Sequence, residues 1–323
     1  RIVTPVNQEA MVKEIEFLRE EDLRLLKSKN YEVYLSPARK IPNILREIGR
    51  LREITFREIG EGTNEAIDLD RFDNYYHHMF LWDCESNVLA GAYRMGLGSK
   101  IYEKYGIDGF YLQDLFRFEP ELHKMMSQSI EMGRAFIIKE YQQKPMPLFL
   151  LWKGIVHTTL RFPEHKYLIG GVSISNQFSN FSKSLMIEFM KSHYYDPYVA
   201  QYVHPKKEFK VKLKDADKDF VFDETKADLN KFDRVIDELE PGLRIPVLLK
   251  KYIKQNAKKN TSEWFLDVYL NQFNTEIYYG AVGLSNNKII GNKTYLKTST
   301  VFSGRMVVHI NKRVDDNLDM FTE

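Results

Sequence analysis

A mixed α/β core flanked by helices is the fold that the sequence predicts, on three observations. Segments with helical and strand periodicity alternate along the chain instead of falling into separate blocks. With 323 residues, 43% hydrophobic and 28% charged, the chain can bury a sizeable core and amounts to one large or two modest domains. Charges also stand inside or beside strand-like segments, in "DLDRFD" and "SIEMGRAFI", where a plain half-buried strand has no need of them.

Residues 7–28 carry Met11, Ile15, Leu18, Leu23 and Leu26 among charges and read as one amphipathic helix. "YEVYLSP" (31–37) is a short strand. A second helix covers 41–60, with Pro42 at its start and Gly60 at its exit. The polar stretch after it reads as a loop carrying acids. "HHMFLWD" and "VLAGAYRMGLG", joined by "CESN", form a β-hairpin. A glycine- and aromatic-rich stretch (105–118) leads to a strand at 130–138, then a helix from about Pro147 to Leu160, a strand at 166–175 and helices at 178–195 and 243–257. The division expected is a lead-in of helix and strand over 1–40, a catalytic domain over 41–258, and a C-terminal extension over 259–323 without clear periodicity. The start at Arg1, without methionine, suits either a fragment of a longer protein, with 1–40 as a linker from an upstream domain, or removal of a tag or leader.

Composition narrows the function classes. The lone Cys84 excludes an internal disulfide and any cysteine-built metal site. His77 and His78 point apart on a strand and lack neighbours at zinc spacing, so no metal is expected. No apolar run reaches the roughly 20 residues that span a bilayer, and the expected location is cytoplasmic, with peripheral contact at the inner membrane face left open. A net charge of +2 gives no general attraction to polyanions, and no nucleic-acid partner is expected. One basic stretch stands out: "HPKKEFKVKLKD" sets Lys210, Lys212 and Lys214 at strand period behind Lys206 and Lys207. It suits either a solvated edge strand or docking of an acidic partner.

In "SIEMGRAFI", Glu131 and Arg134 lie three apart around Gly133 and should diverge on a regular strand. A bulge admitted by Gly133 brings acid and base to one face; a surface ion pair is the plainer alternative. Asp70, Asp73 and Arg94 gather with them at one end of the core. Carboxylates beside arginines suit a zwitterion, whose ammonium the acids hold and whose carboxylate an arginine fork grips. "HMFLWD" also fits H-x-x-x-x-D, the pair used by glycerolipid O-acyltransferases, although His78 and Asp83, five apart, face opposite ways on a strand. Cys84, in the hairpin turn, has no adjacent base.

Arg52 and Phe56, Asp70 and Asp73, Arg94, and Glu131 with Arg134, in that order, resemble the motif series of acyl-homoserine-lactone synthases. They resemble still more closely the ornithine-lipid and glycine-lipid N-acyltransferases, often labelled hemolysin-like, of the GNAT superfamily. "LLWKGI" and "RIPVLLKKYIKQNA" belong to the same resemblance. It implies a GNAT-like sheet and transfer of a (3-hydroxy) fatty acyl group from acyl carrier protein to an amino acid's amine in aminolipid synthesis. Glu131 is then the proton acceptor, Asp70 and Asp73 hold the amine or order the loop, and Arg94 and Arg134 bind the acceptor carboxylate or support the acids. Arg52, Phe56, Gln142 and Lys144 are assigned to substrate binding. The chain departs from GNAT enzymes that use coenzyme A: "QQKPMP" sets Pro145 and Pro147 at the glycine positions of the pyrophosphate loop, removing two backbone donors. That favours an acyl-phosphopantetheine donor on carrier protein over acyl-CoA, with Lys206, Lys207, Lys210, Lys212 and Lys214 as the docking patch. The rival readings are O-acylation of a lysophospholipid and a silent module that docks carrier protein or membrane.

Overall fold

The computed structural model describes residues 1–194, 196–215, 217–219, 225 and 228–250, together with the backbone of 299–303 and 305–311. In chain order the elements are α1 (Gln8–Glu20), β1 (Arg24–Ser28), β2 (Tyr31–Pro37), α2 (Pro42–Glu58), β3 (His77–Asp83), β4 (Val88–Leu97), α3 (Gly98–Tyr105), β5 (Phe116–Phe118), α4 (His123–Ser127), β6 (Ser129–Ile137), α5 (Lys139–Gln142), α6 (Pro145–Arg161), β7 (Tyr167–Val172), α7 (Asn180–Tyr194), α8 (Pro197–Ala200), β8 (Val203–Pro205), α9 (Leu229–Leu239), β9 (Ser299–Ser303) and β10 (Arg305–Asn311). The alternation expected from the sequence is borne out. Contacts divide the chain into two units, one of Arg1–Tyr111 with Met126–His165, the other of Leu112–Met125 with Lys166–Phe321.

The first unit is built on a five-stranded antiparallel sheet, β1-β2-β3-β4-β6. α1 starts where the Asn7 side chain accepts from the N–H groups of Glu9 and Ala10, and it buries Met11, Ile15 and Leu18. It ends eight residues earlier than its periodicity predicts. Asp22 turns the chain in the left-handed region (φ 51°), and β1 pairs with β2 across Lys29 (φ 53°) and Asn30. Leu23 and Leu26 thus continue a helical spacing that the sheet overrides, because pairing with β2 satisfies the backbone of 24–28.

The two faces of this sheet are covered differently. Gly154 of α6 lies so close to Val33 and Met79 that an added Cβ would fall 2.8 Å from each side chain. His78, Phe80, Ala92, Arg94 and Phe136 alternate to the other face, where Phe56 of α2 meets Phe136 edge to face. Both helices begin with proline in their first turn, where its missing N–H costs nothing.

In the second unit β7, β10 and β9 form antiparallel ladders, and β5 pairs with β8. Phe189 of α7 stacks on Phe232 of α9 at 4.1 Å. α9 was not foreseen, nor were β9 and β10 in the extension. Of the helix expected over 243–257, residues 247–250 are helical, 243–246 are not, and 251–257 lie outside the described residues. Of the two readings of the lysine-rich stretch 204–215, the edge strand is corrected: β8 stops at Pro205, and 208–214 form no ladder. The alternation survives without it, since all five lysines are exposed while Phe209, Val211 and Leu213 are half-buried.

Candidate active site

The site is assembled in the first unit from α2, the acidic loop behind it, and strands β3, β4 and β6. α2 sends Arg52, 1% exposed, inward, where its Nη2 donates to Asp73 Oδ1 at 2.8 Å and its Nη1 to the Asp68 carbonyl at 3.3 Å. The loop lies on α2 at Gly49. A Cβ there would come within 2.6 Å of Leu69 and 2.9 Å of Ile67, and the Asp68 N–H donates to the Gly49 carbonyl at 3.1 Å. The loop then closes on itself: Asp70 and Asp73 form a reciprocal capping box around the turn Arg71–Asn74.

β4 supplies Arg94, opposite His78. Its Nη1 donates to Asp70 Oδ1 at 2.6 Å and to Asp73 Oδ2 at 3.3 Å, and its guanidinium lies 5.1–5.4 Å from the ring centres of Phe72, Tyr76 and Tyr111. Burial works against ionisation at Asp73, but Arg52 and Arg94 outweigh it and hold the carboxyl well below its ordinary range. Burial likewise opposes the Arg94 charge, and Asp73 and Asp70 outweigh that.

β6 carries the expected bulge. Its register against β4 shifts between Ala92 and Arg94, whose partners are Phe136 and Gly133. The left-handed residue is Arg134 (φ 51°), not Gly133, so the strain falls on the arginine. Acid and base do share a face. Glu131 Oε2 accepts from the Tyr76 hydroxyl and, at 3.0 Å, from the Tyr111 N–H, while the Arg134 guanidinium lies 5.5 Å from the Tyr111 ring centre. Burial first, and the Glu131 charge second, raise the Tyr76 hydroxyl well above its ordinary pKa and keep it a donor. Arg134 reaches Asp68 Oδ2 and Asp70 Oδ2, each at 3.5 Å.

Five expected site residues, Asp70, Asp73, Arg94, Glu131 and Arg134, therefore meet, and Arg52 joins them. Phe56 packs beside them on Phe136. Gln142 and Lys144 make other contacts: the Gln142 amide donates to the Ile137 carbonyl at 2.9 Å, and Lys144 Nζ sits 3.8 Å from the Tyr141 ring centre. Asp68, Tyr76 and Tyr111 were not foreseen. The run "DNYYHH" beside the acids was the available signal for Tyr76; none existed for Asp68, which reads as one more loop acid.

The H-x-x-x-x-D pair does not form. His78 is fully buried, its Nε2 bonds the Asp73 carbonyl at 3.0 Å, and burial lowers its pKa to about 4. Asp83 accepts from Asn30 at 2.7 Å and from Tyr141 at 2.7 Å. Burial, reinforced by Glu32, raises the Cys84 thiol, so thiolate is disfavoured there. No group of three or more metal-ligating side chains occurs among the described residues. Nor is any helix among them long and apolar enough to cross a membrane.

Residues 51–152 match the family described as the acetyltransferase (GNAT) domain, a span that contains every member of the charged cluster. A Bacteroides thetaiotaomicron protein named glycine N(alpha)-acyltransferase is 31% identical over 206 residues, covering 60% of each chain. A Phocaeicola vulgatus protein of the same name is 26% identical over 326 residues, covering 97% of this chain and 93% of that one. Among solved structures, the AHL synthase LasI is similar at 12% identity and a TM-score of 0.33, covering 44% of this chain and 72% of that one. The CoA-dependent acyl-homoserine lactone synthase MesI is similar at 13% identity and a TM-score of 0.31, covering 43% and 70%. At such scores these two likenesses carry no weight for function. Residues 51–152 are thus similar to an acetyltransferase (GNAT) domain, within a chain similar to proteins named glycine N(alpha)-acyltransferase.

Proposed function

We propose that this chain transfers a (3-hydroxy) fatty acyl group from acyl carrier protein to the amine of glycine, giving an N-acyl amino acid that serves as the lyso precursor of an aminolipid. The observation that carries this reading is the cluster itself: three arginines and four carboxylates under one GNAT sheet, in a chain whose relatives bear the name glycine N(alpha)-acyltransferase.

The acceptor amine, once deprotonated, attacks the thioester carbonyl; the C–N bond forms, the C–S bond breaks, and the phosphopantetheine thiol leaves protonated. Glu131, kept in place by Tyr76 and the Tyr111 N–H, is the acceptor of the ammonium proton, directly or through one water. Arg52 and Asp73 hold the scaffold, since both are almost wholly buried and bonded to each other. For the donor, α6 begins at Pro145, and Pro147 follows in its first turn, so two of the N–H groups that cradle a pyrophosphate are missing. A single phosphodiester asks for fewer. The five exposed lysines at 206–214 are the docking patch for an acidic carrier. An acylated product is itself amphiphilic, which fits work at the inner face of a membrane.

The test is direct. Purified protein is incubated with 3-hydroxyacyl carrier protein or the matching acyl-CoA and with single amino acids, and products are identified by mass spectrometry. N-acylglycine formed faster from the carrier supports the proposal; a folded protein that makes no N-acyl product with any amino acid refutes it.

A further inference from the structure

We infer that Asp68 and Arg134 form a counter-ion exchange subsite for a zwitterionic α-amino acid: Arg134 leaves Asp68 to bind the acceptor's carboxylate, and the acceptor's ammonium takes its place on Asp68. This rests on the amino-acid acceptor proposed above and specifies how it is recognised.

The starting point is an anomaly in an otherwise tight cluster. Arg52 meets Asp73 at 2.8 Å and Arg94 meets Asp70 at 2.6 Å, ordinary lengths for charged hydrogen bonds. Arg134 is held at 3.5 Å by both of its carboxylates. Asp68 is only 2% exposed, yet its Oδ2 makes no hydrogen bond, and neither does Nε of Arg134. Unpaired groups of this kind are rare in folded proteins and call for a reason. Burial also pushes the Asp68 carboxyl up, against the pull of Arg134 and Arg52, as expected of a carboxylate whose cation is poorly seated.

Access comes from one side. The Arg134 side chain is 21% exposed and that of Asp70 27%, whereas Asp73 and Arg94 are sealed in. A ligand entering there meets Arg134 first and finds Asp68 behind it. Charge then decides what stays. A simple anion that draws Arg134 away leaves a bare carboxylate in the interior, which is costly. A simple cation has to share Asp68 with the arginine already there. A zwitterion satisfies both groups at once, so the loose pair selects for a charge pattern and not for charge of either sign.

The experiment measures acylation kinetics with glycine, and with glycine methyl ester, which lacks the carboxylate charge, using acetate as an inhibitor. Asp68→Asn keeps the side-chain shape and removes the charge. It should raise the KM for glycine at least tenfold, change kcat less than threefold and leave the donor KM alone, while acetate becomes at least a tenfold better inhibitor. Opposite shifts for glycine and acetate separate the exchange from loosened packing, which weakens both. A second variant, Arg134→Gln, should bring glycine and its methyl ester within threefold of each other, where the wild type prefers glycine by at least tenfold. An unchanged glycine KM in Asp68→Asn, glycine and acetate both weakened, or a preference for glycine that survives Arg134→Gln each overturns the inference while the acyltransferase reading stands. A wild type that acylates no amino acid removes both.

Discussion

Replacing Asp73 with asparagine tests whether the buried charges hold the site together. Asp73 accepts from Arg52 at 2.8 Å, from Arg94 at 3.3 Å and from the Asp70 N–H at 2.8 Å, and it is almost completely buried. Removing one partner of a buried ion pair leaves the other uncompensated and costs about 3–5 kcal/mol. At about 2–4 °C for each kcal/mol in a chain portion of this size, Asp73→Asn should lower Tm by about 6–20 °C at pH 7. The pH dependence supplies an internal check. The folded-state pKa of Asp73 lies below its unfolded value, so its contribution is fully present above pH about 4 and is lost as pH falls through the folded value. The gap between wild type and variant should therefore narrow on acidification below pH about 4. Thermal melts by circular dichroism at pH 7, 4 and 3 measure it. A shift under 2 °C at pH 7, or a gap that stays constant down to pH 3, would show that the arginines do not depend on this charge.

Glu131→Gln should lower kcat by roughly 10²–10⁴-fold, the usual range for a positioned base, while carrier-protein affinity measured by calorimetry stays put; retention of a tenth of the wild-type kcat argues for another base. Because His78 is neutral when folded, with a pKa of about 4, the unfolded chain binds more protons below its ordinary value of 6.5, and stability falls with acidification. Between pH 6.5 and 5 the loss from His78 alone should be about 2 kcal/mol, seen in urea melts and absent from a folded His78→Asn variant. Charge reversal to Glu at Lys210, Lys212 and Lys214 should slow turnover with acyl carrier protein at low salt and leave single-turnover chemistry nearly intact, as for exposed charges that steer association. Equal loss with acyl-CoA would remove these lysines from the docking model.

The fold was readable where periodicity and local chemistry agree. Pro42 and Gly60 bracket α2, the hairpin β3–β4 turns on polar residues, and each matches its expected place. It was unreadable where a tertiary partner decided. Leu23 and Leu26 keep helical spacing with Leu18, and only β2 across the turn shows that 24–28 is strand. The bulge at 133–134 was foreseen from two charges and a glycine, because a regular strand cannot place Glu131 and Arg134 together. Which residue takes the left-handed conformation was not, since glycine tolerates it best and the sheet nevertheless assigns it to Arg134. Asp68 differs from Asp70 only in what lies around it, a property that no spacing encodes.

Gly49 carries no charge and touches no charged group with its side, yet the acids depend on it. With no side chain between them, helix and loop approach until Leu69 and Ile67 fill the space a Cβ would need. That distance fixes how far Asp68 and Asp70 project toward the arginines, as the thickness of a shim fixes the gap between two machined parts. Gly49→Ala would leave every acid, base and hydrogen-bonding side chain in the sequence and still lift the loop by part of an ångström, against pairs already at 3.5 Å. A chain that keeps all seven charged residues but has alanine or serine at this position should fold with Arg134 out of reach of Asp68 and Asp70, so inheritance of the activity cannot be judged from the charged residues alone.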